Sequence, residues 1–151
     1  MSRILRIYNR ISKFPMGNLI FSKALAFKAP YFSSISPLIT ELRPGFCSAE
    51  IKDRRKIRNH IGSINAGALC TLSELVGGLA VEASISSSLR WIPKEMKVQY
   101  AKMAKGKLTG ICSFDTNLLK PGDIKIPFDI KDQSGDIVLR VIILFYISKR
   151  K

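Results

Sequence analysis

The stretch from Ala66 to Ala83 constrains the fold more than any other part of this chain of 151 residues. It contains no proline and no basic residue, and nearly all of its side chains are apolar or small. We therefore predict one helix of roughly 27 Å, at 1.5 Å per residue. Asn65 is its expected N-cap, because its side-chain oxygen can accept an unpaired N–H of the first turn. Apolar side chains point in every direction, which predicts burial on all sides and close packing of other backbone against the small residues.

Glu74 is the exception within this helix. A charge buried there costs free energy unless it is paired, hydrogen-bonded or neutralised. Either Glu74 reaches a basic partner or solvent through a gap, or it is a catalytic carboxylate. The start of the helix, Asn65-Ala66-Gly67, favours the second interpretation, since free N–H groups and the positive end of the helix dipole attract an oxyanion or a polarised carbonyl. A thioester carbonyl at the helix start and a carboxylate two turns along would form a hydrolytic site.

The residues around the helix start also resemble a known family. The motif Asn59-x-x-Gly62-x-x-Asn65-Ala66-Gly67 with Leu72-Ser73-Glu74 is similar to the signature of hotdog-fold thioesterases, especially the phenylacetate-pathway type. That type carries Asn-x-x-Gly-x-x-His-Gly-Gly and then Leu-Ala-Asp or Glu. Two upstream segments, Ala29-Pro30-Tyr31-Phe32 and Leu42-Arg43-Pro44-Gly45, resemble a little-characterised branch of that superfamily, a domain of unknown function. The resemblance runs from about Phe14 to the end of the chain.

Two positions depart from the family pattern. Asn65 stands where the family usually has histidine, so the resemblance does not carry that histidine's role over to this chain. Ala66 replaces the first glycine of the pair, a milder change because the backbone N–H is kept.

The resemblance implies a fold, an activity and a set of site residues. It implies an α+β hotdog fold, in which an antiparallel sheet of about five to six strands wraps around one long central helix. It implies hydrolysis of acyl-CoA or acyl-carrier-protein thioesters without a cofactor. It also implies a homodimer or a dimer of dimers, in which the helix start of one subunit faces the carboxylate of the other. Glu74 would activate water or attack directly, and the backbone at Ala66 and Gly67 would polarise the carbonyl. The remaining candidates for the site are Asn59, which would fix the substrate or water, and the substrate-binding residues Arg58, His60, Asn65 and Ala66.

Other functions stay open at this point. A hotdog hydratase or dehydratase would use His60 with Glu74, although the proline- and glycine-rich approach to the helix that such dehydratases show is absent. A non-catalytic module that binds acyl thioesters or fatty acyl groups is the other alternative, and Asn65 in place of histidine favours it. Specific nucleic-acid binding is not expected, because charge alone would support it.

The charge balance predicts anionic partners. The chain carries 25 Lys+Arg and 11 Asp+Glu, a net charge of +14. Nucleic acid, acidic lipid, the phosphates of coenzyme A or an acidic carrier protein would be attracted; the alternative is a basic surface with no dedicated partner. The basic run Lys52–Arg58 beside the site entrance could meet the coenzyme A phosphates or could simply be a solvated strand end.

The first forty residues carry six basic side chains and no acidic one. Residues 2–14 read as a basic amphipathic helix, and 19–27 as a second short helix. This segment could be a mitochondrial transit peptide, a peripheral membrane contact, or a helical segment packed on the domain. We favour the last, with residues 1–30 as that segment and 31–151 as a single hotdog domain. The expected location is the cytoplasm, or the mitochondrion in a eukaryote.

Alternation of apolar and polar side chains predicts the strands. They are residues 46–57, 96–100, 108–114, 124–130 and 137–147, with Pro127 indicating an edge or bulge and 137–147 covered on both faces. Three widely spaced cysteines without a CxxC pair favour reduced thiols. One histidine leaves no multi-histidine metal centre, and no apolar stretch is both long and charge-free enough to span a bilayer.

Overall fold

The computed structural model describes residues 1–150, and residue 151, the last of the predicted hotdog domain, lies outside them. The helices are α1 (Arg3–Ile11), α2 (Gly17–Lys28) and α3 (Ala66–Ser84). The strands are β1 (Leu38–Arg43), β2 (Phe46–Ile51), β3 (Leu89–Tyr100), β4 (Leu108–Ser113), β5 (Gly122–Asp132) and β6 (Ile137–Lys149). Short 3-10 turns cover Pro30–Ser34, Arg55–Ile57 and Thr116–Leu118.

The six strands form one antiparallel sheet in the order β1-β2-β4-β5-β6-β3, and α3 packs on one of its faces. The inward side chains of β2 are Cys47, Ala49 and Ile51, which are 0%, 0% and 1% exposed. On the neighbouring strand β4, these three residues lie opposite Cys112, Gly110 and Leu108, respectively. The predicted α+β class, with a sheet wrapped around one long helix, is confirmed.

The strands differ from the predictions in their bounds. The strand predicted over 46–57 ends at Ile51, which pairs with Leu108, the first residue of β4. In the segment that follows, the Arg54 guanidinium donates to the Ser34 carbonyl, and Arg58 pairs with Asp53. β1 was not predicted, and β3 begins at Leu89 rather than Met96. Pro93 in β3 lies at a shift in the register with β6, which interrupts the alternation there.

Strand β6 was predicted to be covered on both faces, and this is wrong for the single chain. Leu139, Val141, Ile143 and Phe145 are at most 1% exposed, whereas Ile142 and Tyr146, on the other face, are each 41% exposed. The sequence of β6 is therefore apolar on both faces, although only one face lies in the core and the other carries exposed large apolar side chains. On β5, Pro127 pairs with β6 but lies beyond the end of the β4 pairing, so it has a strand on one side only.

Helix α3 has the predicted start and extends one residue past the predicted end. It is not buried on all sides, however, because Ala66, Gly67 and Glu74 are exposed and Cys70 is half-buried. These positions follow the i, i+3, i+4 spacing of one helix face, and we name them the exposed stripe of α3. The length and composition of α3 would suit a membrane span, but the sheet and the N-terminal helices cover most of it.

Side chains of the sheet, rather than backbone, pack against Gly77 and Gly78 of α3. A Cβ placed on Gly77 would lie 2.9 Å from Ile143 Cδ1, and one on Gly78 would lie 3.0 Å from the Trp91 ring. At these two glycines the prediction of close backbone approach is therefore wrong. Bulky side chains of the sheet occupy the space that the glycines leave.

The N-terminal helices pack against α3 and β1. In α1, Leu5 and Tyr8 are 3% and 7% exposed, and the Tyr8 ring meets Phe21 of α2 edge-on at 5.0 Å. Burial raises the pKa of the Tyr8 hydroxyl. The apolar face of α1 is thus directed at the protein core.

Candidate active site

The start of α3 is held by a side-chain cap, as the sequence predicts. The Asn65 side-chain oxygen accepts the Gly67 N–H at 2.7 Å, and the Asn65 N–H donates to the Ile57 carbonyl at 2.8 Å. The N–H groups of Ala68 and Leu69 donate to the Asn65 carbonyl. Among residues 1–150, the Ala66 N–H has no acceptor. Of the two donors predicted to polarise a carbonyl, Gly67 is therefore already engaged and Ala66 is available.

A tight turn at residues 59–63 leads into this helix start. The Asn59 side chain donates to Ser63 Oγ at 2.8 Å and accepts the N–H groups of Ile61 and Ser63. Gly62 in the same turn has a φ of 79°, a left-handed conformation that favours glycine. Asn59 therefore shapes the turn with most of its hydrogen-bonding groups. His60 lies exposed in the turn.

Arg58 is held by an ion pair rather than left free for a substrate. Its Nε donates to Asp53 Oδ1 at 2.6 Å, and the Gly106 N–H donates to the other oxygen of Asp53 at 3.0 Å. The hydrogen bond from Arg58 lowers the pKa of the Asp53 carboxyl, and Asp53 raises the pKa of Arg58. The Arg58–Asp53 ion pair and the Gly106 hydrogen bond therefore connect the segment that precedes α3 with the loop that precedes β4.

A surface cavity of about 410 Å³ opens beside the helix start. Asn59 and Ala66 line it, together with Tyr100 at the end of β3. The Tyr100 hydroxyl lies 3.7 Å from the Cys70 sulfur, and this interaction together with burial raises the pKa of Tyr100. The end of β3 therefore forms a wall beside the first half of the exposed stripe.

A second cavity, of about 480 Å³, is lined by Glu74 and lies between α3, α1 and the Pro30–Ser34 turn. We name it the Glu74 cavity. Its other lining is mostly apolar, with three further charged side chains. The apolar residues are Ile4, Ile7, Leu25, Ala29, Phe32, Leu75, Gly78, Leu79 and Trp91, and the other charged residues are Arg3, Lys28 and Glu82.

The two carboxylates of the Glu74 cavity differ in their surroundings. The Glu82 carboxylate accepts a hydrogen bond from the Trp91 indole N–H at 2.7 Å, which fixes it against the sheet. Glu74 is exposed and, among residues 1–150, has no hydrogen-bond or ion-pair partner. The predicted burial of Glu74 is thus wrong for the single chain, in which its carboxylate reaches solvent through a gap.

The structure brings together one group of the predicted residues and leaves another apart. Asn59, Asn65, Ala66 and Gly67 meet at the helix start. Glu74 follows Ala66 by eight residues, about 12 Å along the helix axis at 1.5 Å per residue. No three His, Cys, Asp or Glu side chains within residues 1–150 are grouped so that they could hold a metal ion.

Sequence reasoning missed Trp91, Tyr100 and the Glu74 cavity. All three depend on residues far apart in the chain that the fold brings together, such as Trp91 beside Gly78, and Phe32 and Leu75 in the lining of one cavity. The Gly77-Gly78 pair was the available signal, because paired glycines inside a helix indicate that something large lies against it.

The family model described as Domain of unknown function (DUF4442) matches residues 17–147. No curated protein matches the chain. Among solved structures, the structural-genomics protein APC5556 is 31% identical, with a TM-score of 0.87 over 97% of this chain and 99% of that one.

Two more distant structures show the same fold. A protein of unknown function from Pseudomonas aeruginosa, named a probable thioesterase, is 24% identical, with a TM-score of 0.79 over 91% of this chain and 97% of that one. A thioesterase from Haemophilus influenzae is 13% identical, with a TM-score of 0.70 over 79% and 82% of the two chains. The predicted hotdog fold is confirmed, and the chain belongs to the DUF4442 family.

Proposed function

We propose that this protein hydrolyses acyl thioesters, carried by coenzyme A or by an acyl carrier protein, as a homodimer. One observation carries the proposal. The unpaired Ala66 N–H at the N-terminus of α3 and the unpaired Glu74 carboxylate lie on the same exposed stripe, at the two ends of one open face. The first is suited to an oxyanion, and the second to activating water.

The separation of these two groups favours a dimeric site. Reacting groups must come within about 3–3.5 Å of each other, whereas Ala66 and Glu74 of one chain are about 12 Å apart along the helix. A second subunit lying against the stripe with its helix reversed would bring its own Glu74 to this Ala66. By two-fold symmetry the same contact would form twice.

Strand β3 offers the surface for such pairing. It forms one edge of the sheet, is 12 residues long and has a neighbour, β6, on one side only. A long open edge is a template for pairing with another strand. Both Trp91 and Tyr100 of β3 lie beside α3, so a partner joined along β3 would cover the exposed stripe.

In the proposed reaction, the Ala66 N–H donates to the thioester carbonyl oxygen and stabilises the negative charge that develops there. The partner subunit's Glu74 takes a proton from water while the water oxygen bonds to the carbonyl carbon. The C–S bond then breaks, and the thiolate leaves and receives the proton. Alternatively the partner subunit's Glu74 attacks the carbonyl carbon itself, the C–S bond breaks, and the thiolate leaves and takes a proton from solvent. Water then hydrolyses the resulting anhydride, which releases the carboxylic acid and restores the Glu74 carboxylate.

The surroundings of Glu74 suit the acyl group. The Glu74 cavity is predominantly apolar and, at about 480 Å³, falls within the usual size range of small-molecule sites. A linear acyl chain entering from Glu74 would lie between α3 and the N-terminal helices. The exposed Arg55 and Lys56, near the helix start and outside any ion pair among residues 1–150, are placed to meet phosphates of coenzyme A.

The test is release of free thiol from short-, medium- and long-chain acyl-coenzyme A by purified protein. Glu74→Gln should lower kcat by roughly 10²–10⁴-fold, the usual contribution of a general base. Glu82→Gln is the matched control, because it changes another carboxylate of the same cavity and keeps an oxygen for the Trp91 N–H. It should retain activity within a few-fold.

Equal loss in both variants would contradict a specific role for Glu74. If no thioester is cleaved but the same thioesters bind, the protein is an acyl-binding module, which the replacement of the family histidine by Asn65 favours. Hydration of enoyl thioesters that is lost in His60→Ala would identify a hydratase instead.

A further inference from the structure

The outer face of α2 is apolar and open to solvent. Met16, Ile20 and Phe27 are 69%, 52% and 91% exposed, and Ala24 lies between them. Their spacing of three and four residues places them on one side of the helix. We name these four residues the outer face of α2. Phe14 and Tyr31, just beyond its two ends, are 67% and 73% exposed.

The opposite side of α2 is fixed to the domain, so this exposure is a permanent feature of the fold. Phe21 and Ser22 are each 2% exposed. The Ser22 hydroxyl accepts the Ile39 N–H of β1 at 2.8 Å, and the Asn18 amide donates to the Thr40 carbonyl at 2.9 Å. These bonds prevent α2 from rotating to bury its outer face.

Within residues 13–28, which contain this face, every charged side chain is positive. Lys13, Lys23 and Lys28 are exposed, and within residues 1–150 none of them forms an ion pair. No acidic residue occurs before Glu41. A second copy of the chain would present the same cations to this face and be repelled. The surface is thus complementary to something both apolar and negatively charged.

We propose that the outer face of α2 docks onto the surface of an anionic lipid bilayer. A helix lying in the plane of the interface buries its apolar side chains at the boundary with the acyl chains, while lysines meet the anionic headgroups. Aromatic residues at both ends suit the headgroup level. The contact uses α2 rather than the apolar face of α1, whose Leu5 and Tyr8 pack inside the protein.

The experiment measures sedimentation of the full chain with vesicles of phosphatidylcholine alone or mixed with phosphatidylglycerol. Wild type should bind the mixed vesicles and bind pure phosphatidylcholine much more weakly. Phe27→Ser should lower the partition coefficient at least about tenfold through lost apolar burial. Lys23→Gln should lower it about fivefold, the effect of one cation at an anionic surface.

Matched controls lie outside the N-terminal segment. Leu118→Ser changes a side chain that is 49% exposed, and Lys120→Gln removes an exposed cation close to it. Both should bind vesicles as wild type does, and thermal unfolding should show all four variants folded.

Failure of wild type to bind the mixed vesicles at low ionic strength would overturn the proposal. So would equal loss in Phe27→Ser and Leu118→Ser. A change of oligomeric state in Phe27→Ser without loss of vesicle binding would instead identify this face as a contact between protein chains.

Discussion

The two ends of the exposed stripe of α3 are built in different ways. At the helix start the chemically useful group is a backbone N–H, and a network of local hydrogen bonds from Asn59 and Asn65 holds that backbone in place. At Glu74 the useful group is a side-chain carboxylate on a regular helix turn, beside an apolar cavity and without a partner in the described chain.

This contrast explains which residue changes each end tolerates. A change from glycine to alanine leaves the backbone N–H in place, so alanine at position 66 provides the same donor as the family's glycine. In the proposed reaction a carboxylate would have no such substitute, because its charge would take up the proton of water. Since the two ends lie about 12 Å apart along one helix, the proposed reaction combines Ala66 of one subunit with Glu74 of the other.

Ala66→Pro gives the largest expected effect at the helix start. Proline is favoured at the first helical position, and Asn65 before it already has extended φ and ψ of −62° and 142°, which proline requires of its neighbour. The variant should fold normally but lack the free N–H. We expect thioesterase kcat to fall by about 10²–10³-fold, the effect of losing one oxyanion donor.

Ala66→Gly is the matched control, because it keeps the N–H and should keep the activity. Chemical unfolding of both variants separates folding from catalysis. Full activity in a folded Ala66→Pro protein would show that the Ala66 N–H polarises nothing.

Substitutions of Asn65 sharpen the contrast further by separating stability from turnover. Asn65→Ala loses the cap and should lower the free energy of unfolding by about 1 kcal/mol, yet it releases the Gly67 N–H and should not reduce kcat. Asn65→Asp keeps the cap and should keep stability. Its charge beside the developing oxyanion should lower kcat roughly tenfold or more. Turnover and urea unfolding, measured on both variants, check this; parallel changes in the two quantities would contradict it.

The Asp53–Arg58 pair predicts a smaller, pH-dependent effect. Because the pKa of Asp53 is lowered in the folded protein, the pair stabilises the fold fully above the ordinary carboxyl pKa of about 3.9. This stabilisation is lost as the pH falls through the lowered value. Asp53→Asn should therefore unfold slightly more easily than wild type at neutral pH, and the difference should disappear in acid. Urea unfolding across that pH range would show it, and a difference independent of pH would contradict the assignment.

Sequence alone predicts the part of the site that is local. The start of α3 follows from one capping residue and the apolar run after it, and both were found where expected. The turn at 59–63 likewise depends on neighbours within five residues. Such features are encoded by short-range hydrogen bonds and can be read along the chain.

The surroundings of Glu74 could not be predicted in the same way. The exposed stripe consists of Ala66, Gly67, Cys70 and Glu74, and three of these count as apolar or neutral in any hydrophobic pattern, so the helix read as buried all round. Likewise the Glu74 cavity exists because α1, α2 and the Pro30–Ser34 turn leave a gap beside α3 there. A gap between segments that are distant in the chain produces no periodic pattern of apolar residues in the sequence.

The most direct test of a site shared between subunits is complementation of two inactive variants. Ala66→Pro and Glu74→Gln proteins are unfolded together, refolded and assayed for thiol release beside each variant alone. A mixed dimer holds one intact site, made by Ala66 of one subunit and Glu74 of the other. Random pairing should thus restore about a quarter of wild-type activity. Activity that stays at the level of the separate variants, in dimers shown to have exchanged subunits, would contradict the account.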